Sequence, residues 1–184
     1  IGSGEVDRGQ HDVSGPTELG HGAALLIRRR VLEEVGLLGE DYFIYYEELD
    51  FGTRLRRAGW RAHYVAESTV WHKESVTVGK ASPLKTRFQT RNRVLYLRRN
   101  ARGWRKALSI AALVAVVAPV HVVRHALAGR WAHVRAVVQG LAWHLANPLL
   151  TPDARLPRRP WPRVDRPAAA PRLLSADTLL EVTR

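Results

Sequence analysis

No cysteine occurs among the 184 residues. That excludes a disulfide framework, a thiol nucleophile and any cysteine-ligated zinc or iron–sulfur site, so metal chemistry falls to His, Asp and Glu. A cysteine-free chain fits a reducing compartment. Methionine is absent too, and the chain opens on Ile1 with a polar, glycine-rich stretch in place of a basic segment and an apolar run. This opening predicts no secretory leader in the stretch at hand and a chain that continues upstream. A third absence is local: residues 75–152 hold 13 Lys and Arg but no Asp or Glu, whereas residues 1–74 hold 13 acids and 9 bases. The net charge of +12 is thus unevenly spread. A mildly acidic region followed by an acid-free basic one predicts two tasks, the second with a negatively charged partner.

With 46% hydrophobic and 25% charged residues, the composition is that of one core-bearing domain with appendages. Residues 1–21, with Gly at 2, 4, 9, 15 and 20, read as loop. The apolar run Ala23–Ile27 predicts a buried strand, and Val31–Val35 a short helix ended by Gly36. Tyr42–Tyr46 leads into Glu47-Glu48-Leu49-Asp50, and Phe51, Leu55 and Ala58 recur at helical spacing until Gly59. Arg61–Val65 and Thr69–His72 read as short strands, which completes an α/β layer. Ser82-Pro83 predicts the start of a helix reaching about Arg99. Ala107–Val123 is free of formal charge but interrupted by Pro119, and 131–146 is an amphipathic stretch. Seven of the ten prolines lie from Pro148 onward, which predicts an extended or disordered tail. The expected divisions are 1–100, 101–147 and 148–184.

Chemistry concentrates in Glu47, Glu48 and Asp50, on the first turn of a predicted helix. At about 100° per residue Glu48 falls within about 60° of Phe51 and 20° of Leu55, whereas Asp50 lies about 160° from Glu48, beside Arg57. The wheel therefore directs Glu48 to the packed side and Asp50 to solvent. A carboxylate leaving the apolar face beside a cleft is desolvated and becomes a better base. The same three acids also suit the helix macrodipole with no further role, and on these residues alone both readings stand.

The ordered set Gly22–Arg29, Val35-Gly36, Tyr42–Phe51, Arg54–Trp60, Val70-Trp71-His72 and Arg91-Asn92 resembles glycosyltransferase family 2. More narrowly, it is similar to the rhamnosyltransferase-like members that build bacterial surface polysaccharides. The resemblance covers about residues 1–100. It implies the carboxyl-terminal half of a GT-A-type catalytic domain: an α/β fold with a partial mixed sheet and flanking helices, followed here by an α-helical, membrane-facing extension. It implies an inverting transfer of a sugar from a nucleotide-sugar donor to a polysaccharide or lipid-linked acceptor. The family's catalytic base falls on Glu48, one methylene longer than the usual Asp. Glu47, Asp50, Lys73 and Arg91 become candidates for contacts with donor or acceptor. The family's histidine, here His72, implies a ligand to a divalent cation, Mg²⁺ or Mn²⁺; without the resemblance it reads as a surface histidine at a strand end. Ser75–Lys80 reads as a lid over the diphosphate or as a plain exposed loop. Two departures stand out: Gly39 occupies a position where relatives usually have Asp, and no Asp-x-Asp metal motif occurs in the sequence.

Nine Lys or Arg and no acid in residues 81–106 abut the apolar segment. Such a pattern favours an anionic cytoplasmic leaflet. Seventeen uncharged residues with a proline are short for a spanning helix, so the reading is a helix lying in or against the interface at the cytoplasmic face of a bacterial membrane. A soluble extension packed on the catalytic domain is the plainer alternative. Two other function classes are weighed: a basic nucleic-acid-binding module, opposed by the acidic first 74 residues, and a non-catalytic remnant or scaffold.

Overall fold

The computed structural model describes residues 5–72, 78–79 and 81–148. In order come β1 (Gly15–Thr17), α1 (Arg29–Val35), a 3-10 turn at Glu40–Tyr42, α2 (Glu47–Arg57), β2 (Ala62–Tyr64), α3 (Pro83–Asn100), α4 (Gly103–Ala112), a π-helical segment at Leu113–Val117, α5 (Ala118–Leu127) and α6 (Trp131–Ala146). The described residues fall into two compact units, one of residues 5–37 with 54–71, the other of residues 38–53 with 72, 78–79 and 81–148.

In the first unit β1 and β2 pair antiparallel, Gly15 opposite Tyr64 and Thr17 opposite Ala62. Ser14 ties this hairpin to the chain after β2, since its hydroxyl donates to Glu67 and accepts from the Ala66 amide, both at 2.8 Å. The Arg54 guanidinium donates to the carbonyls of Val35 (2.7 Å) and Leu37 (2.8 Å), satisfying acceptors at and just past the end of α1. The chain is therefore a mixed α/β protein, but its β1–β2 pair is the only ladder among the described residues. Two expected strands are corrected. Ala23–Ile27 is irregular with Leu25 and Leu26 exposed, and residues 69–72 form no strand. A strand persists only where a neighbour takes up its backbone donors and acceptors, and among the described residues neither run has one.

The second unit is built on α3. Ser82 caps it, its hydroxyl accepting from the Lys85 amide at 3.1 Å, and Pro83 opens the first turn where no amide donor is needed. Along α3 lies α6, running in the same direction. His133 near the start of α6 donates to the Ala81 carbonyl (3.0 Å), His144 to the Arg91 carbonyl (2.8 Å), and Arg98 to the Asn147 carbonyl (3.0 Å). The two backbones meet at Gly140. A Cβ there would stand 2.8 Å from the Arg87 carbonyl oxygen and 3.0 Å from Thr90 Cβ, so only glycine permits the approach.

The apolar segment forms one continuous helix, Gly103–Leu127, across Pro119. Proline at 119 cannot donate to the carbonyl four residues back and its ring crowds that carbonyl. The π-helical turn immediately before it, in which the Ala118 amide bonds the Leu113 carbonyl, widens the helix and absorbs the defect.

Candidate active site

All three first-turn acids of α2 lie in the second unit, and the segment leading to them is strained. Phe43, Tyr45 and Tyr46 have φ values of 62°, 67° and 76°. Left-handed backbone at a non-glycine residue costs about 1–3 kcal/mol and persists only where the surroundings over-determine it. Here the over-determination comes from two adjacent side chains of α3. The Asn92 amide, completely buried, shares its two N–H groups among the carbonyls of Tyr42 (2.9 Å), Ile44 (2.7 Å) and Tyr45 (2.8 Å). The Arg91 guanidinium donates to the carbonyls of Asp41 and Tyr42, each at 2.7 Å, and to Asn92 Oδ1 at 2.8 Å. Rings complete the fixation: Phe43 on Phe88 at 5.2 Å, Tyr46 on Tyr96 at 6.0 Å, and Lys85 over the Tyr45 ring at 5.7 Å.

Arg91 is itself gripped. Its guanidinium lies 4.6 Å from the Phe88 ring and 4.8 Å from the Trp143 ring, so α6 supplies one face of the clamp. His144 follows on α6 and accepts at Nδ1 from Arg98 (3.0 Å) while Nε2 donates to the Arg91 carbonyl. Burial lowers the His144 pKa, in keeping with this neutral, one-donor arrangement. Arg91, a candidate for contact with donor or acceptor, has its guanidinium on backbone carbonyls, and burial followed by the neighbouring charge of Arg87 lowers its pKa.

Asp50 also departs from expectation. The wheel sent it to solvent, but it is only 4% exposed and accepts from Tyr42 Oη at 3.2 Å and from Asn100 Nδ2 at 2.7 Å. Burial, then the Asp50 charge, pushes the Tyr42 phenol pKa up, so Tyr42 remains a donor. The wheel failed because α2 has no single buried face: Asp50, Phe51, Gly52, Thr53 and Leu55 are all buried. Arg99 stacks on Tyr42 at 5.2 Å and pairs with Asp41, closing the surround.

Glu47 and Glu48 differ from Asp50. Both are half-buried, and each keeps one inner oxygen, Oε2, that is shielded from solvent yet has no hydrogen-bond partner. Burial is the main cause that raises the Glu47 pKa, and the charge of Glu48 beside it adds to the rise. An unsatisfied, desolvated carboxylate oxygen is costly in a merely structural role and useful in accepting a proton or a donor from a bound hydroxyl. Folding has thus sorted the acids into one satisfied carboxylate and two that each keep a shielded, unpartnered oxygen.

His72 is exposed. Among the described residues no three His, Asp or Glu come together in a way that could hold a metal ion. The oxygen and imidazole donors suit Mg²⁺ or Mn²⁺ in kind but among the described residues fall short in number. Lys73 and most of the Ser75–Lys80 loop lie outside the described residues. Sequence reasoning picked out Asn92 as part of a motif but gave it no role, and it missed Asn100, Trp143 and His144. A signal existed for Asn92: an asparagine beside Val94 and Leu95 in mid-helix is unfavourable unless its side chain is engaged elsewhere.

Residues 4–96, half of the chain, match the family model described as "Glycosyltransferase like family 2". The chain is similar to the N-acetylglucosaminyl-diphospho-decaprenol L-rhamnosyltransferase of Mycobacterium tuberculosis strains CDC 1551 and H37Rv, 33% identical over 86 residues. That alignment covers 47% of this chain and 28% of the relative. It is also similar to the low-salt glycan biosynthesis hexosyltransferase Agl10 of Haloferax volcanii, 43% identical over 42 residues, covering 23% of this chain and 14% of that protein. The chain therefore spans well under a third of either relative's length. No solved structure matches it.

Proposed function

The chain belongs to glycosyltransferase-like family 2, and from that premise we propose that it carries the base-bearing part of a sugar transferase. The reaction is transfer of a sugar, with inversion, from a nucleotide-sugar donor to a glycan or lipid-linked acceptor in cell-surface polysaccharide synthesis. The observation that supports this best is the pair of inward, partnerless carboxylate oxygens on Glu47 and Glu48, directly after a loop whose strain is held by Arg91 and Asn92. Strain of this kind is maintained where a side chain must be aimed.

In the proposed step Glu48 accepts the proton of the acceptor hydroxyl while that oxygen bonds to the anomeric carbon. The bond from the anomeric carbon to the diphosphate oxygen breaks, and the nucleoside diphosphate leaves with the electron pair. Glu47, whose pKa burial and the neighbouring Glu48 charge raise, is proposed to hydrogen-bond the bound donor or acceptor beside the base. Asp50 and Arg91 serve the site by fixing Tyr42 and the loop, and Lys73 is proposed at the donor side. A divalent cation, Mg²⁺ or Mn²⁺, with His72 as one ligand, belongs to the proposal for the longer protein. The relative's name specifies a diphospho-decaprenol acceptor, which supports a lipid-linked acceptor here and work at the cytoplasmic face of a bacterial membrane.

The decisive experiment is Glu48→Gln in the full-length protein. Turnover is expected to fall about 10²–10⁴-fold while donor affinity stays within a few-fold. Unchanged turnover retires Glu48 as the base.

A further inference from the structure

The helix Gly103–Leu127 is 25 residues long and apolar enough to cross a membrane by length and composition alone. Its attachments argue against crossing. It begins three residues after α3 ends at Asn100, and it ends four residues before α6 begins at Trp131. The start of α6 lies beside the start of α3, where His133 bonds the Ala81 carbonyl. The corner is closed further by His125 of α5 stacked on His133 of α6 at 4.8 Å. A rod of about 37 Å is thus tied at one end to the finish of α3 and at the other to its beginning, so it runs antiparallel along a helix of about 27 Å. To span a bilayer it would have to take Lys85, Arg87, Arg93, Arg98 and Arg99 of α3 into the hydrocarbon with it.

Leu113 and Ala118 form the inward side of this helix, and the outward side is apolar from end to end. Trp104, Leu108, Val116, Val120, Val123 and Leu127 are all exposed, and Trp131 continues the row at the head of α6. In an uninterrupted α-helix the first two of these would face about 100° away from the last three. The π-helical segment at Leu113–Val117 adds about one residue of unwinding and brings both halves onto one face. The irregularity that accommodates Pro119 therefore also makes the stripe continuous. Arg105, whose guanidinium lies 5.6 Å from the Trp104 ring, and Arg124 flank the stripe along one edge. With no acid anywhere in residues 75–152, every formal charge on this helix and on the helices before and after it is positive.

We propose that Gly103–Leu127 is an in-plane docking surface for an anionic lipid bilayer, its apolar stripe lying in the acyl boundary parallel to the membrane and its Trp104 and Trp131 ends at the headgroup level. A lipid surface is the occupant that matches both halves of the pattern, because a second copy of the chain would set positive edge against positive edge. The inference does not depend on the transfer reaction and stands or falls with lipid binding.

The absence of native cysteine makes the test direct. Trp104→Cys, Val116→Cys and Leu127→Cys in the 184-residue chain, each labelled with an environment-sensitive fluorophore, are mixed with vesicles of phosphatidylcholine alone or mixed equally with phosphatidylglycerol. Binding is expected to be at least about tenfold tighter on the anionic vesicles. Depth-dependent quenching is expected to keep all three labels shallow, between the headgroups and the upper acyl chains. A Val116 label much deeper than the other two means a spanning helix and overturns the proposal. So does a stable dimer in sedimentation that shields position 116 while vesicles are not bound. Val120→Glu with Val123→Glu, both at exposed positions, is expected to abolish vesicle binding with far-UV circular dichroism unchanged; retained binding by a folded variant also overturns it.

Discussion

Two neighbouring helices of the second unit depart from ordinary amphipathic order in opposite ways. Helix α3 buries Arg91, Asn92 and Asn100 alongside Val94 and Leu95, so polar groups share its inward side. The Gly103–Leu127 helix exposes Trp104, Leu108, Val116, Val120, Val123 and Leu127 and sends its apolar groups outward. An ordinary surface helix does the reverse of each. Helix α3 faces bent backbone whose carbonyls need donors, while the long helix presents the apolar row proposed above to meet lipid.

The sharpest way to break the polar side of this comparison is Asn92→Leu, of similar size but with no donors. The Ile44 and Tyr45 carbonyls lose their Asn92 donor, and the left-handed residues 43, 45 and 46 lose what holds them. A loss of about 3–5 kcal/mol, read as a lower urea midpoint, is expected, with transfer activity lost in the full-length protein. A variant as stable as the parent would show that the loop holds itself.

Next in size is Gly140→Val, which pushes α6 off α3. A cost of about 2 kcal/mol is expected, together with a shifted near-ultraviolet signal as Trp143 leaves the Arg91 face. If stability falls but the Trp143 signal does not move, α6 and the loop are independent.

The smallest effect is a gain. The Glu47 pKa is raised on folding, so the protonated form is favoured in the native state. That contribution is complete below the ordinary carboxylate range and is lost as pH rises through the raised value. Glu47→Gln is therefore expected to be more stable than the parent at neutral pH by about 1 kcal/mol, or about 2–4 °C in Tm, with the difference vanishing in acid. A Tm difference independent of pH would mean that the side chain acts by shape alone.

Much of this second unit is legible from residues. The Ser82-Pro83 start of α3, the helix from Glu47 and the span of α6 all follow from local rules of capping and period, because each helix satisfies its own backbone. Strands do not, and the apolar run at 23–27 reads as a strand although no neighbour among the described residues completes it. The local placement of the acids was half legible: the helix start at Glu47 and Glu48 follows from the sequence, but the burial of Asp50 depends on Tyr42 and Asn100, eight residues before it and fifty after it. The continuity of Gly103–Leu127 was hidden for a different reason: Pro119 reads as a break, and nothing in its immediate neighbours announces a wider turn that absorbs it.

Gly140 and Trp143 lie beyond residue 96, where the family match ends, yet they hold the arginine that shapes the loop inside it. The two stretches are consequently not interchangeable parts in descent. A lineage that traded its trailing helices for those of a cousin would have to inherit a residue without a side chain at the crossing and a flat ring three positions later, or redesign the aim of its acids from the beginning.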